Sequence, residues 1–349
     1  MFYYDCIGVT HRKIFKGIDI LYFMKEKLSE VNYVSPLERG YSSYVDHIEA
    51  FNRKIQDEIS HEIPCYFKDF EGDIAITTTG SDARLEKGPV SLIEIILFGN
   101  NYEEIKNAHS RLTEYMSGNG RVNLFDKYVE TKEVSKDPIS YYYGGLLNRG
   151  DVKLTSPNRM LDSRLLYSTD NILAPTRKKF IDEIKSTQGK SVFKDVKEKY
   201  REHRKITLTG KQEYKGKSVM HFNPNEGVSF YDPNNDIWSI KQGPLRLVQY
   251  ALVRDTIKRI RDGTLGENVF MLPKNTVKKL HALEVNGRTS VPHNQIEEIS
   301  DTYKYMLHLY HASQFEYRCK GTKEIEFDSK EYNERATDLQ KICSENLIN

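Results

Sequence analysis

The hydrophobic positions of this chain follow two different periods, and the change between them separates helices from strands. Within residues 17–31 and 42–60, apolar side chains recur every three or four positions, which is the spacing of one helix face. Over residues 73–80 the chain alternates, is rich in β-branched residues and ends in Gly80. The pattern predicts two N-terminal helices, followed by a strand that runs into a turn.

A second strand is predicted over residues 90–99, which are apolar on both faces except at Glu94. A strand that is apolar on both faces usually lies in the centre of a sheet covered by helices. A helix over residues 101–120 and a third strand over residues 121–130 follow. These elements together predict a small mixed sheet with helices packed on it.

From about residue 157 the helical period returns. The predicted helices cover residues 156–168, 175–187, 192–204, 245–263, 275–287 and 294–317, with one more in the charged tail. A stretch rich in Gly, Asn and Pro at 227–244 separates the earlier helices from the later ones. We therefore predict an α/β core followed by an all-α helical domain, with N-terminal helices at 1–62, the core at 63–155 and the helical domain at 156–349.

The composition predicts a soluble cytoplasmic protein of about two domains. The chain has 349 residues, and a domain commonly takes roughly 100–200 residues. It contains no run of about 18 apolar residues that would span a membrane, and its N-terminus has no secretory signal pattern. The four cysteines lack the spacing of zinc ligands, which favours reduced thiols.

The charge balance argues against nucleic acid as a partner. The chain carries 52 basic and 50 acidic residues, whereas neutralising a phosphate backbone requires a basic excess. A basic segment at 194–217 is interpreted as a solvated helix face and loop, with a nucleotide- or partner-binding surface as the alternative. His308 and His311 are interpreted as packed or surface side chains, because no third metal ligand accompanies them.

The turn between the first two strands contains the strongest candidate site. Gly80 lets a ligand approach the backbone closely, and the Ser81 hydroxyl with nearby N–H groups can hold a phosphate. Arg84 and Lys87 add positive charge a few residues later. Glu94 is a carboxylate on an apolar strand, where burial is costly unless the group is paired or bound to a metal. A solvated strand end, or a pairing with Arg84, is the alternative explanation of Glu94.

Residues 80–94, GSDARLEKGPVSLIE, resemble the signature of the polymerase-β-like nucleotidyltransferases. That signature is Gly-Ser followed, after a short interval, by an Asp-x-Asp pair on the next strand. The resemblance is closest to the protein nucleotidyltransferase branch, which includes glutamine synthetase adenylyltransferase. The matching positions are Gly80, Ser81, Ala83, Arg84, Glu86 and Ser91.

Two later segments resemble, in the same order, the helical domain of bacterial protein-PII uridylyltransferases and of a related nucleotidyltransferase family. Residues 159–170 are similar to one helix of that domain, and residues 236–257 are similar to a segment that follows it. The matching positions in the second segment are Asp236, Lys241, Gly243, Leu245 and Arg246. The resemblance thus covers about residues 42–317, and it implies a nucleotidyltransferase core with a helical domain that forms the other wall of a cleft.

The resemblance implies an enzyme that transfers AMP or UMP from a nucleoside triphosphate to a hydroxyl group on a protein. In the family, the Asp-x-Asp carboxylates and a third carboxylate on a later strand hold divalent ions. Here Leu92 replaces the first Asp, Glu94 stands at the second, and Asp126 is the predicted third, with Glu130 as the alternative. We therefore predict that Glu94 and Asp126 are catalytic ligands of Mg²⁺ or Mn²⁺. Leu92 favours an alternative function, a degenerate nucleotidyltransferase fold that binds a nucleotide or a protein partner as a regulatory module.

The residues predicted to bind the nucleotide come from both halves of the chain: Gly80, Ser81, Arg84, Lys87, Lys241 and Arg246. Arginine suits phosphate because its guanidinium donates two parallel hydrogen bonds. For Lys241 and Arg246, a loop brace to Asp236 is the alternative. Trp238 either packs between the domains or stacks on a base. Glu86 either shapes the turn through a salt bridge or, like Asp82, substitutes for the missing acid.

Overall fold

The structure is a computed structural model, and it describes the chain in separate segments. These are residues 40–88, 94–99, 102–118, 157–169, 172–186, 193–194, 196–202, 218–223, 228–231, 238–285, 291–320 and 324–346. Several predicted features lie outside them: the helix over 17–31, the strand over 121–130, Leu92, Asp126, Glu130, Asp236 and most of the basic segment 194–217.

The first half of the described chain contains the predicted elements. They are α1 (Tyr41–Tyr66), β1 (Ile74–Thr78), β2 (Ile95–Gly99) and α2 (Tyr102–Gly118). The α1 face that carries Tyr44, Ile48 and Phe51 is buried, as its period predicts. Every residue of β1 and of β2 is buried, which agrees with strands covered on both faces.

Within the described segments, β1 is the central strand of a three-stranded antiparallel sheet in the order β2-β1-β3. The expectation that the strand ending at residue 99 lies in the centre is wrong, because β2 is at an edge and is buried by helices instead of by a second neighbouring strand. β3 is Arg164–Ser168, so the prediction of one helix over residues 156–168 is wrong. Only α3 (Pro157–Leu161) is helical there, and the Ser163 N–H and hydroxyl both bond to the Met160 carbonyl just after it, at 3.1 and 2.7 Å. The chain then extends because the edge of β1 offers backbone groups that must be paired, and this pairing overrides a short helical period. β3 therefore belongs to the core sheet, although the sequence placed it in the helical domain.

The second half of the described chain is mainly helical. Its helices are α4 (Leu173–Lys185), α5 (Arg246–Arg261), α6 (Thr276–Val285), α7 (His293–Lys320) and α8 (Ser329–Asn346). An irregular helical turn, Lys241–Leu245, leads into α5, because Gly243 has non-helical dihedral angles and Pro244 follows it. None of the helices within the described segments has the length and apolar character that crossing a bilayer requires.

The prediction of an all-α second half is wrong, because this half also contains a second antiparallel sheet. Its order is β6-β5-β4-β7, and its strands are β4 (Ser218–Asn223), β5 (Val228–Tyr231), β6 (Trp238–Ser239) and β7 (Glu324–Phe327). These strands are too short to show a clear period of two in the sequence. Gly, Asn and Pro residues between them resemble a linker as much as hairpin turns, since the same residue types form both.

One of the two hydrophobic clusters of the described segments joins the two halves. Ala75, Ile96 and Phe98 of the first sheet belong to the same buried cluster as the apolar residues of α5 and α7. The hydroxyl of Tyr44 on α1 lies 3.1 Å from Nδ1 of His311 on α7, and both side chains are fully buried. This packing holds the turn after β1 against the C-terminal helices.

Candidate functional site

A cleft of about 130 Å³ lies where the turn after β1 meets α3, α5 and α7. Most of the residues predicted to bind a nucleotide or metal line it: Gly80, Ser81, Arg84, Glu94, Lys241 and Arg246. Gly80 and Ser81 begin a short helical turn, Gly80–Ala83, Arg84 ends it, and Glu94 directly precedes β2. Lys241 lies in the turn into α5, and Arg246 is the first residue of that helix. The fold thus brings together residues that are far apart in the sequence.

Lys87 is the predicted nucleotide-binding residue that does not line the cleft. Its side chain is 2% exposed, and its Nζ lies 3.4 Å from Oδ1 of Asp82. Burial lowers the pKa of Lys87, and the carboxylate of Asp82 opposes that effect. Leu85, whose φ is +61°, reverses the chain between Arg84 and Lys87. Arg84 and Lys87 are close in sequence, but Arg84 lines the cleft and Lys87 is buried beside Asp82.

The backbone of the 80–86 turn has a left-handed conformation at Gly80, which residues with a side chain rarely adopt. The φ of Gly80 is +62°, and the Glu94 carboxylate occupies the space that a Cβ would take. The carbonyl oxygens of Asp82, Arg84, Leu85 and Lys87 accept hydrogen bonds from the side-chain amides of Gln56, Asn275 and Asn52. The amides of Gln56 and Asn52 come from α1, so this helix anchors the turn from one side.

Arg84 is the centre of a buried ion network at one wall of the cleft. Its Nε lies 2.9 Å from Glu86 Oε2, and its Nη1 lies 2.9 Å from Asp162 Oδ2. Lys279 donates to the other oxygen of Asp162 at 2.6 Å. Burial alone would raise the pKa of Asp162, but Lys279 and Arg84 hold it below its usual value. The interpretation of Glu86 as a salt-bridge partner that shapes the turn is confirmed, and Arg84 pairs with Glu86 and Asp162, not with Glu94.

Asp82 supports the start of β2 and is already engaged. Its Oδ2 accepts the backbone N–H of Glu94 at 3.0 Å, and its other oxygen faces Lys87. Burial raises the pKa of Asp82 to about 6, with Lys87 opposing the shift. Asp82 and Glu86 both have partners in the fold, so neither is free to replace the acid missing at Leu92.

Among the described residues that line the cleft, the charges left over are mainly positive. The two cations and two carboxylates of the Arg84 network neutralise each other. Outside this network, the charged lining residues that the structure describes are Arg159, Lys241, Arg246 and Glu94. Within the described segments, neither Lys241 nor Arg246 forms an ion pair, and Lys241 Nζ lies 6.0 Å from the centre of the Tyr310 ring. Such a lining suits an anionic ligand, and a guanidinium suits phosphate in particular.

Two helix faces complete the cleft with side chains that the sequence did not single out. Gln249 and Tyr250 lie one turn after Arg246 on α5, and Tyr303, Leu307 and Tyr310 share one face of α7. Tyrosine rings offer an apolar surface on which a base can stack. Gln249 and Tyr250 could have been found from the sequence, because they follow Arg246 by three and four positions on a predicted helix. The same spacing is also typical of residues that pack in a core.

The described residues alone do not complete a metal site. Among them, no group of three or more His, Cys, Asp or Glu side chains is placed to hold an ion. Mg²⁺ and Mn²⁺ require several oxygen ligands, and Glu94 is the cleft carboxylate left without a cation here. His311 is buried against Tyr44, which confirms its interpretation as a packed side chain.

No protein-family model matches the sequence, and a search of curated proteins finds no significant match. The resemblance described above therefore depends on the residue pattern alone.

Proposed function

We propose that the protein binds a nucleoside triphosphate in the cleft and transfers its nucleoside monophosphate, AMP or UMP, to a hydroxyl group on a protein. One observation carries the proposal: Gly80, Ser81, Glu94, Lys241 and Arg246, matched to two separate motifs, line a single cleft whose described lining is mainly positive. The residues come from two segments that are about 150 positions apart in the sequence.

In this proposal the phosphates lie between the Gly80–Ser81 backbone and the side chains of Lys241 and Arg246. The acceptor oxygen forms a bond to the α-phosphorus, the bond to the β-phosphate breaks, pyrophosphate leaves and the hydroxyl proton passes to water. Glu94 and Asp126 are the proposed ligands of Mg²⁺ or Mn²⁺, whose charge neutralises phosphate oxygens.

A second candidate function is nucleotide binding without turnover, in a regulatory module. Two observations favour it: Leu92 stands where the family has its first Asp, and both neighbouring acids, Asp82 and Glu86, are engaged in the fold. Removing one electrostatic element from such a site commonly lowers the rate by about 10²–10³-fold.

Titration calorimetry with ATP, UTP, GTP and CTP, each with and without Mg²⁺ or Mn²⁺, tests binding first. The nucleotide that binds is then supplied in labelled form, and transfer to protein is followed by mass spectrometry. Transfer that is lost in Glu94→Ala and Ser81→Ala supports the enzyme. Binding without transfer supports the regulatory module, and no binding at millimolar nucleotide overturns both.

A further inference from the structure

Glu86 joins the 80–86 turn to two helices that are distant in the sequence. Its Oε2 accepts hydrogen bonds from Arg84 Nε at 2.9 Å and from the Tyr303 hydroxyl at 2.7 Å. Its Oε1 accepts the backbone N–H of Thr276, the first residue of α6, at 2.8 Å. The side chain is 2% exposed, and hydrogen bonds to a charged group are strong in such an interior.

Through Tyr303, Glu86 also fixes the helical walls of the cleft. The Tyr303 hydroxyl donates to Glu86 and accepts from Gln249 Nε2 at 2.9 Å and from Thr276 Oγ1 at 3.2 Å. Burial, and then the negative charge of Glu86, raise the pKa of Tyr303, so the hydroxyl keeps the proton that it donates. Tyr303 and Gln249 both line the cleft, one from α7 and one from α5.

The backbone next to Glu86 is strained, which indicates that its surroundings dictate its geometry. Leu85 has a φ of +61°, in the left-handed region that is unfavourable for a residue with a side chain. Such a conformation persists only where neighbouring contacts enforce it. The Glu86 N–H bonds to the Ser81 carbonyl at 2.9 Å, and Asn52 holds the Leu85 carbonyl at 3.3 Å.

We propose that Glu86 is a positioning residue of the cleft. By holding Arg84, Tyr303 and the start of α6 at once, it sets the separation between the Gly80–Ser81 backbone and the α7 wall. It acts through these neighbours because both of its oxygens are already engaged. The nucleotide-binding test of this proposal rests on the proposed function, whereas the second test, by hydrogen exchange, does not.

The variant Glu86→Gln keeps the shape of the side chain but replaces one acceptor oxygen with a donor. The ligand is the one of ATP, UTP, GTP and CTP that binds the wild type most tightly in the presence of Mg²⁺. We expect Glu86→Gln to lower the affinity for it by about tenfold or more, because hydrogen bonds to a charged group are lost. Tyr303→Phe removes one of the same contacts, so the double variant should bind no more weakly than Glu86→Gln alone. All affinities are measured by calorimetry at a temperature where circular dichroism shows each variant folded.

Arg335→Gln is the matched control. It breaks ion pairs with Asp301 at 2.7 Å and Glu331 at 2.9 Å, away from the cleft, and should lower the melting temperature without changing the affinity. Wild-type affinity in Glu86→Gln, an equal loss in Arg335→Gln, or additive losses in the double variant would each overturn the proposal.

If the wild type binds none of the four nucleotides, the proposed function fails and hydrogen exchange decides the role of Glu86. The proposal is supported if Glu86→Gln speeds amide exchange in both the 80–86 turn and the first turn of α6. It is overturned if either segment keeps its wild-type rate. Should Glu86→Gln not fold, Tyr303→Phe carries both measurements, since it deletes a single oxygen.

Discussion

Arg84 and Arg246 line the same cleft from opposite sides, and their surroundings differ. Arg84 is buried between Glu86 and Asp162, each 2.9 Å away. Arg246 is half-buried and has no carboxylate partner within the described segments. A buried charge with engaged hydrogen bonds supports the fold, whereas a cation without a partner is available to a ligand. The comparison teaches that lining a cleft and serving its ligand are separate properties.

The largest expected effect is on stability and belongs to Arg84. Arg84→Met retains apolar volume but leaves Glu86 and Asp162 without this cation. Breaking a buried pair typically costs about 3–5 kcal/mol, and we expect the lower end because Lys279 still pairs with Asp162. Urea denaturation measures the free energy of unfolding. Arg246→Met, the matched variant, should change it by less than about 0.5 kcal/mol, and equal effects would remove the distinction between the two sides.

Lowering the pH should reduce the stability of the fold on the Arg84 side of the cleft, because His311 packs next to Gly88, which follows the 80–86 turn. Burial lowers the pKa of His311 to about 3, whereas an unfolded histidine titrates near ~6.5. Below that value the unfolded state gains a proton that the folded state does not bind. The free energy of unfolding should therefore fall by up to about 1.4 kcal/mol per pH unit as the pH decreases.

His311→Gln tests this slope against the wild type. Between about pH 6.5 and pH 4.5, we expect the wild type to lose about 2 kcal/mol more than the variant, because all other titrating groups are shared. Denaturation curves at several pH values give the two slopes. If the free energy of unfolding changes with pH equally in both proteins, His311 is protonated in the folded protein as readily as in the unfolded one, and the prediction is wrong.

Substitution on the Arg246 side of the cleft should change the affinity for nucleotide and leave the stability unchanged. Arg246→Gln should weaken binding of the preferred nucleotide, and of inorganic tripolyphosphate, by about tenfold, since a charge-assisted hydrogen bond is lost. Its unfolding curve should match that of the wild type. Lys258→Gln, an exposed cation on the same helix, is the control for general charge. If Lys258→Gln weakens binding as much, the effect is one of net charge and the cleft is not the binding site.

Periodicity was sufficient to predict most of the described helices and the first two strands, because each presents a buried face long enough to show its spacing. It failed at β3, where five residues extend to satisfy the edge of β1, and at the short strands of the second sheet. In both cases the deciding interaction is a backbone hydrogen bond to a distant segment, which a local pattern does not contain.

Part of the lining of the cleft was expected from the sequence, but the roles of those residues were not. The motifs placed Gly80 and Arg246 in one site, as the resemblance implied, and they line one cleft. The roles of Arg84 and Lys87 depend on Leu85 reversing the chain, and on Asp162 and Lys279 arriving from other elements. Sequence spacing carries no information on such convergence, so two cations of one motif were predicted alike and differ in the structure.

The smallest expected effect separates recognition of a base from recognition of phosphate on the α5 side. Tyr250 follows Arg246 by one helical turn, so a base stacked on its ring would lie beside phosphates held by Arg246. Stacking on an aromatic ring contributes about 0.5–1.5 kcal/mol, so Tyr250→Leu should weaken nucleotide binding by about two- to tenfold. Binding of tripolyphosphate should not change, because it has no base. An equal loss for both ligands would instead show that Tyr250 supports the fold of the cleft, as Arg84 does on the other side.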